Sequence, residues 1–145
     1  MSEDHREACT LISASCTTSW FDWIHGELWL CPGGILRRSL GLVTTFRHLN
    51  RQTLDPSDRP RRAFTFDEIR QIIASGRRNR WITWGEIAHV TLKRGIIDHS
   101  LLIELNTGHG EKFLWLSIDG GSDVLEPALS RSLPGRFTTS DKGIV

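Results

Sequence analysis

From Ala88 to Ile118 apolar and polar residues alternate with a period of two, interrupted twice by turn chemistry. Ala88-His89-Val90-Thr91-Leu92-Lys93-Arg94 sets small or apolar residues on one side and polar ones on the other, and Gly95 closes the run. Leu101, Ile103 and Leu105 repeat the period, Thr107-Gly108-His109-Gly110 supplies a turn, and Lys112 to Ile118 runs back as an apolar strand containing Trp115. Alternation of this kind places successive side chains on opposite faces of a strand, whereas a helix would scatter the same residues around its circumference. The pattern predicts an antiparallel hairpin with one face to bury, and the rest of the chain has to supply the cover.

Three further segments can be read in the same way. Glu27-Leu28-Trp29-Leu30-Cys31, Pro32-Gly33-Gly34 and Ile35-Leu36-Arg37-Arg38-Ser39 form strand, turn and strand, with the Pro-Gly pair expected to provide one fixed and one positive φ. Thr65 and Glu68 have capping-box spacing before Phe66, Ile69, Ile72 and Ile73 on one helical face, and Gly76 is placed to end that helix in a left-handed residue. Val124, Leu125, Ala128, Leu129 and Leu133 make an amphipathic stripe after Ser122 and Asp123, with Pro127 expected in the first turn and Gly135 at the end. Trp29, Trp84 and Trp115 are the expected core anchors.

A chain of 145 residues has the size of one domain with one core. Residues 1–19 are polar and rich in Ser and Thr, so they read as a flexible arm. The domain proper is expected over 20–136, interrupted by an insertion at about 47–80, and 137–145 reads as a frayed tail. Two prolines and almost nothing apolar mark 50–62 as an exposed connection. Cys9, Cys16 and Cys31 are odd in number and lack metal-ligand spacing, which implies neither a disulfide framework nor zinc and fits a reducing cytoplasm. Nothing approaches the roughly 20 apolar residues of a spanning helix, and Ser2-Glu3-Asp4 is acidic where a signal peptide is basic. Leu11 to Cys16 has the outline of a lipoprotein cleavage site, but its apolar stretch is too short.

The hairpin of Leu28 to Arg38 and the downstream run Trp84-x-Glu86-Ile87, followed by two strands and a helix, resemble the bacterial pleckstrin-homology-like (PH-like or GRAM-like) domains. Within them the chain is most similar to an uncharacterised actinobacterial-type family, through Asn79-Arg80-Trp81-Ile82-x-Trp84-x-Glu86-Ile87 and Lys112-Phe113-Leu114-Trp115-Leu116. The resemblance covers about 27–136 and implies an α+β fold: a strongly bent antiparallel sheet or split barrel capped by a C-terminal helix, with 50–80 inserted. It also implies a binding module for a protein, a peptide or an anionic lipid headgroup, without assigning a ligand.

No motif carries recognisable chemistry. Asp98-His99-Ser100 has the residue types of a triad, but consecutive residues in an extended segment diverge, so an ordinary turn explains them. His109 and Glu111 lack a third ligand nearby, and the glycines fit neither phosphate-loop nor dinucleotide patterns. His89, His99 and Glu86 are the residues an enzyme would have to bring together through the fold. The expectation is therefore a protein that is not an enzyme and needs no cofactor or metal.

Charge offers one alternative. The net charge is +1, yet from Arg59 to Arg80 seven arginines face only Asp67 and Glu68. Arg61, Arg62, Arg77, Arg78 and Arg80 are the candidate contacts for an anionic partner, with nucleic acid the competing reading. Arg77, Arg78 and Arg80 also suit a helix C-terminus, where the macrodipole favours cations.

Overall fold

The fold was obtained as a computed structural model that describes residues 6–18, 26–39 and 59–141. Among these are nine strands and two helices, an α+β architecture in two sheets. The first sheet contains β1 (Arg6–Cys16), β2 (Gly26–Cys31), β3 (Gly34–Ser39), β4 (Arg61–Thr65) and β5 (Arg80–Thr83), in the order β4-β1-β2-β3-β5. All of its pairs are antiparallel. The second contains β6 (Ile87–Arg94), β7 (Asp98–Leu105), β8 (Gly110–Leu116) and β9 (Phe137–Asp141), in the order β8-β7-β6-β9. Helix α1 (Phe66–Ser75) joins β4 to β5, and α2 (Ser122–Ser132) joins β8 to β9.

Both expected hairpins form. Cys31 pairs with Gly34 across the Pro32-Gly33 turn, and Glu104 pairs with Gly110 across the second turn, where Gly108 takes a φ of 90°. Gly33 is not among the glycines with positive φ, which corrects the turn expected there. Its smallness serves packing instead: the Glu7 carboxylate accepts a 2.5 Å hydrogen bond from the Gly33 N–H where a side chain would stand. Gly34 is equally constrained, since a Cβ there would lie 2.1 Å from the Ile82 carbonyl oxygen.

The sheets bury two apolar clusters. Ile12, Leu28, Ile35 and Ile82 of the first sheet meet Val90, Leu101, Phe113 and Trp115 of the second, and Leu125, Leu129 and Leu133 of α2 and the turn after it join them. On the other face of the first sheet, Leu11, Trp29, Leu36 and Phe64 pack with Ile69 of α1. Trp29 and Trp115 are buried as expected, whereas Trp84 is only partly so and packs from the edge, its Nε1 donating to the Pro32 carbonyl at 2.7 Å.

Several expectations about the chain ends and links are corrected. The supposed N-terminal arm contains β1, which lies between β4 and β2, and Thr17 exchanges two backbone hydrogen bonds with Leu114 to tie the first sheet to β8. Register shifts between Leu11 and Ser13 and between Ser13 and Cys16 destroy the alternation by which such a strand would be recognised. The supposed tail contains β9, a polar edge strand held parallel to β6 from Val90↔Phe137 to Arg94↔Asp141. The supposed insertion contains β4, one edge of the first sheet, and runs up to β5, the other edge; residues 47–58, and with them most of the expected exposed connection, lie outside the described residues.

The capping box of α1 forms, Thr65 Oγ1 accepting from Glu68 N at 3.1 Å and Glu68 Oε1 from Thr65 N at 2.9 Å. Gly76, however, is extended at φ −158° rather than left-handed. Pro127 lies well inside α2, not in its first turn, and has no N–H for the carbonyl of Asp123 four residues back.

Cys9 and Cys31 form a disulfide, against the expectation of unpaired thiols, and Cys16 is a buried thiol outside it. The register Thr10↔Leu30 makes Cys9 and Cys31 direct cross-strand neighbours, with Cα atoms 4.2 Å apart. Taken as part of an arm, Cys9 had no strand to place it there.

Candidate functional site

The five candidate arginines do not share a face. β4 and β5 are opposite edges of a five-stranded sheet, so Arg61 and Arg62 stand about 19 Å from Arg80 at normal strand spacing. Arg61 pairs with Thr10 and Arg62 with Cys9, which sends their side chains to opposite faces. The Arg62 guanidinium lies 4.6 Å from the centre of the Phe64 ring and 3.2 Å from Glu68 Oε2. Arg61 and Arg62 line an open depression of about 240 Å³ with Ala8, Cys9, Thr10 and Ala63 at the β4 edge.

On the far edge, Arg80 Nε approaches Glu111 Oε2 at 3.3 Å, and Arg80 Nη1 donates to the carbonyls of Arg77 and Asn79 at 2.6 and 2.9 Å. The Arg78 carbonyl accepts from the buried Arg37 guanidinium at 3.1 Å. Arg77 and Arg78 are exposed in the turn that follows α1.

The residues considered for catalysis are separated in the same manner. Asp98, His99 and Ser100 open β7 rather than forming a turn, and all three are buried. His99 meets Trp115 edge to face at 5.8 Å and its Nδ1 accepts from Gly95 N at 3.3 Å. His89 pairs with Glu104, five positions along β7 from His99, a separation of about 17 Å. Glu86 Oε1 accepts from both the N–H and hydroxyl of Thr83. His109 Nε2 contacts Glu111 Oε2 at 3.1 Å, and no group of three or more His, Cys, Asp or Glu among the described residues could hold a metal ion. A further polar cluster has no place in the sequence reading: Ser13 and Ser15 hydroxyls each donate to Asp119 Oδ2 at 2.7 Å, and Ser15 Oγ accepts from Leu116 N at 3.2 Å. These groups staple β1 to the end of β8.

The same end of the second sheet carries the feature the sequence reading missed. Ile96 and Ile97, in the turn between β6 and β7, are 81% and 74% exposed; Ile118 and Leu116, at the end of β8, are 62% and 45% exposed. Two hydrogen bonds from Ser117 bring the segments together: its N–H donates to the Ile97 carbonyl at 2.9 Å and its hydroxyl to the Ile96 carbonyl. The available signal was two isoleucines directly after Gly95, where a turn would ordinarily be polar.

The Thr65 backbone N–H, helped by Arg62, holds the Glu68 carboxyl below the ordinary value of 4.5. No family model matches the sequence, and no curated protein matches it.

Proposed function

We propose that the chain is a PH-like, non-catalytic binding module that docks through the apolar end formed by Ile96, Ile97, Leu116 and Ile118. The observation that carries this reading is the contrast between occupied and unoccupied chemistry. Of the side chains weighed for catalysis or metal binding, Glu86 accepts from Thr83, His89 contacts Thr138 across β6 and β9, His99 packs on Trp115, and Glu111 meets Arg80 and His109. The four apolar side chains at this end are exposed, two in the β6–β7 turn and two at the end of β8, and Ser117 links the segments. Apolar exposure concentrated in one place marks an interaction surface more often than scattered single residues do. The sequence resemblance to PH-like domains, which bind partners in many settings, supports the same class of function.

The arginine-based alternative, a nucleic-acid accessory protein, needs a continuous basic face, and three strands separate Arg61 and Arg62 from Arg80. No helix of the described residues is long and apolar enough to cross a membrane. A disulfide between Cys9 and Cys31 belongs in an oxidising compartment. The expected cytoplasmic location therefore holds only if Cys9 and Cys31 are thiols in the cell, read by acid quenching followed by alkylation under denaturing conditions.

A benzoylphenylalanine crosslinker at Ile97 tests the docking surface against one at Thr107, at the opposite end of the β7–β8 hairpin. Adducts at position 97 and none at 107 are expected; adducts only at 107, or at neither, defeat the reading.

A further inference from the structure

We infer that the open edge of β4 takes up an extended acidic peptide as an additional strand, with the main chain of Arg61 and Ala63 as its hydrogen-bonding partner. The inference concerns a second surface and does not depend on the docking surface at Ile96 and Ile97.

The register between β1 and β4 shows which groups of β4 face outward. Leu11 N donates to the Pro60 carbonyl at 2.9 Å, so these two residues form a hydrogen-bonded antiparallel pair. Bonded and non-bonded pairs alternate along an antiparallel ladder. Cys9↔Arg62 and Glu7↔Phe64 are therefore bonded pairs, and Thr10↔Arg61 and Ala8↔Ala63 are not. The disulfide agrees with this phase. Cys9 bonds toward β4, so it stands in a non-bonded pair with Cys31 on β2, the kind in which Cα atoms come closest, and theirs are 4.2 Å apart.

The N–H and C=O groups of Arg61 and Ala63 consequently point away from β1, and β4 is an edge strand. Nothing among the described residues bonds to them. Thr65, the next outward residue, is closed, because its N–H donates to Glu68 Oε1 at 2.9 Å. Two donors and two acceptors are left open on two exposed residues, the set that an added strand engages.

Side chains select the partner. Arg61 and Ala63 turn to one face, where they line the open depression of about 240 Å³ beside Ala8 and Thr10. Those neighbours are small, so the approach to the edge is clear. Arg62 already meets Glu68 at 3.2 Å, whereas Arg61 is exposed and meets no carboxylate among the described residues. A carboxylate on the added strand opposite Arg61 completes a favourable cross-strand pair. A second copy of β4 fits badly. Two-fold pairing that uses both Arg61 and Ala63 sets two copies of Arg62 directly opposite each other, and like charges in that position repel.

Amide-shift titration of the isotopically labelled full chain with the blocked peptide Thr-Glu-Val-Glu-Val-Thr tests this, beside Thr-Lys-Val-Lys-Val-Thr. At roughly millimolar glutamate peptide the shifts should centre on Arg61 and Ala63, and both amides should gain protection from exchange. The lysine peptide should leave them unmoved. Ala63→Pro removes an outward N–H and no bond to β1, so it should keep the fold and weaken binding by about fivefold to tenfold. Arg61→Glu should lose the glutamate peptide and take up the lysine peptide, a reversal that damage to the fold cannot produce. Absent shifts, shifts centred elsewhere, equal response to the two peptides, or wild-type binding by both variants overturns the inference. So does protection of the Arg61 and Ala63 amides before peptide is added, which would mean that a second copy or another part of the chain already fills the edge.

Discussion

The two ends of the β7–β8 hairpin are built from the same pair of strands and treat water in opposite ways. At the turn end, Thr107, Gly108 and His109 are exposed and polar, and the nearby charges answer one another, Glu111 receiving both Arg80 and His109. At the other end, Ile96, Ile97, Leu116 and Ile118 face solvent, and Ser117 ties the two segments together through the carbonyls of Ile96 and Ile97. Charge is therefore a poor guide to where this molecule meets a partner, because the candidate arginines are dispersed and two of them, Arg62 and Arg80, meet carboxylates of the fold. Apolar surface is the better guide, because nothing within the described residues covers it.

The contrast is sharpest between neighbours on β8. Trp115 is 2% exposed, packs in the main cluster and donates from Nε1 to the Gly120 carbonyl at 2.9 Å; Leu116 is turned outward. Trp115→Ala is expected to cost about 3–5 kcal/mol in denaturant unfolding, the largest single effect on the fold. Leu116→Ser should stay within about 0.5 kcal/mol. A large loss for Leu116→Ser would mean that the apolar end belongs to the core and that the comparison fails.

The next effect concerns the first sheet. The Cys9–Cys31 bond closes a loop with a sequence separation of 22. Reduction should cost about 3 kcal/mol if the bond restricts the unfolded chain in the usual way. Unfolding with and without reductant, beside Cys9→Ala/Cys31→Ala, measures it. Oxidised protein should show one thiol, Cys16, and only after denaturation, since that residue is buried.

These two predictions also show what the sequence makes legible. Both hairpins and both helices could be read because their signals are local: period-two alternation with Gly at the turns, a capping box from Thr65 to Glu68, and leucines at 125, 129 and 133. β1 could not be read, because its irregular register breaks the alternation and buries Ser13 completely. β9 could not, because Thr138, Thr139 and Ser140 give a polar edge strand no apolar pattern. The disulfide followed β1 out of view. The arginine cluster was visible as a count, but its dispersal depends on which strands lie between β4 and β5, a property of tertiary order. The apolar end was legible only in part: Ile96 and Ile97 can be seen after Gly95, while the absence of any described element over them cannot.

A smaller effect lies at the N-terminus of α1, where charge does act, but locally. Thr65→Ala removes the acceptor for Glu68 N and should cost about 1 kcal/mol. The Glu68 carboxyl is held below 4.5, mainly by the Thr65 N–H and then by Arg62. A depressed carboxyl stabilises the fold above its unfolded value and ceases to do so as pH falls through the lower folded value. The helix contribution should accordingly be full at neutral pH and disappear in acid below 4.5, and Glu68→Gln should flatten that part of the pH profile.

The smallest expected effect returns to the polar end. Arg80 and Glu111 are 3.3 Å apart with side chains 39% and 12% exposed, so solvent screens much of their attraction. Arg80→Gln should lower stability by about 0.5 kcal/mol or less, with the loss shrinking further in high salt. It should leave crosslinking from position 97 unchanged, because the side chain lies at the other end of β8 from Leu116. The pair of measurements is informative because the two ends predict opposite outcomes: Arg80→Gln should touch stability slightly and binding not at all, and L116S/I118S should do the reverse. A variant at Arg80 that keeps its unfolding midpoint but loses its partner would invert the comparison and return the docking surface to the arginines.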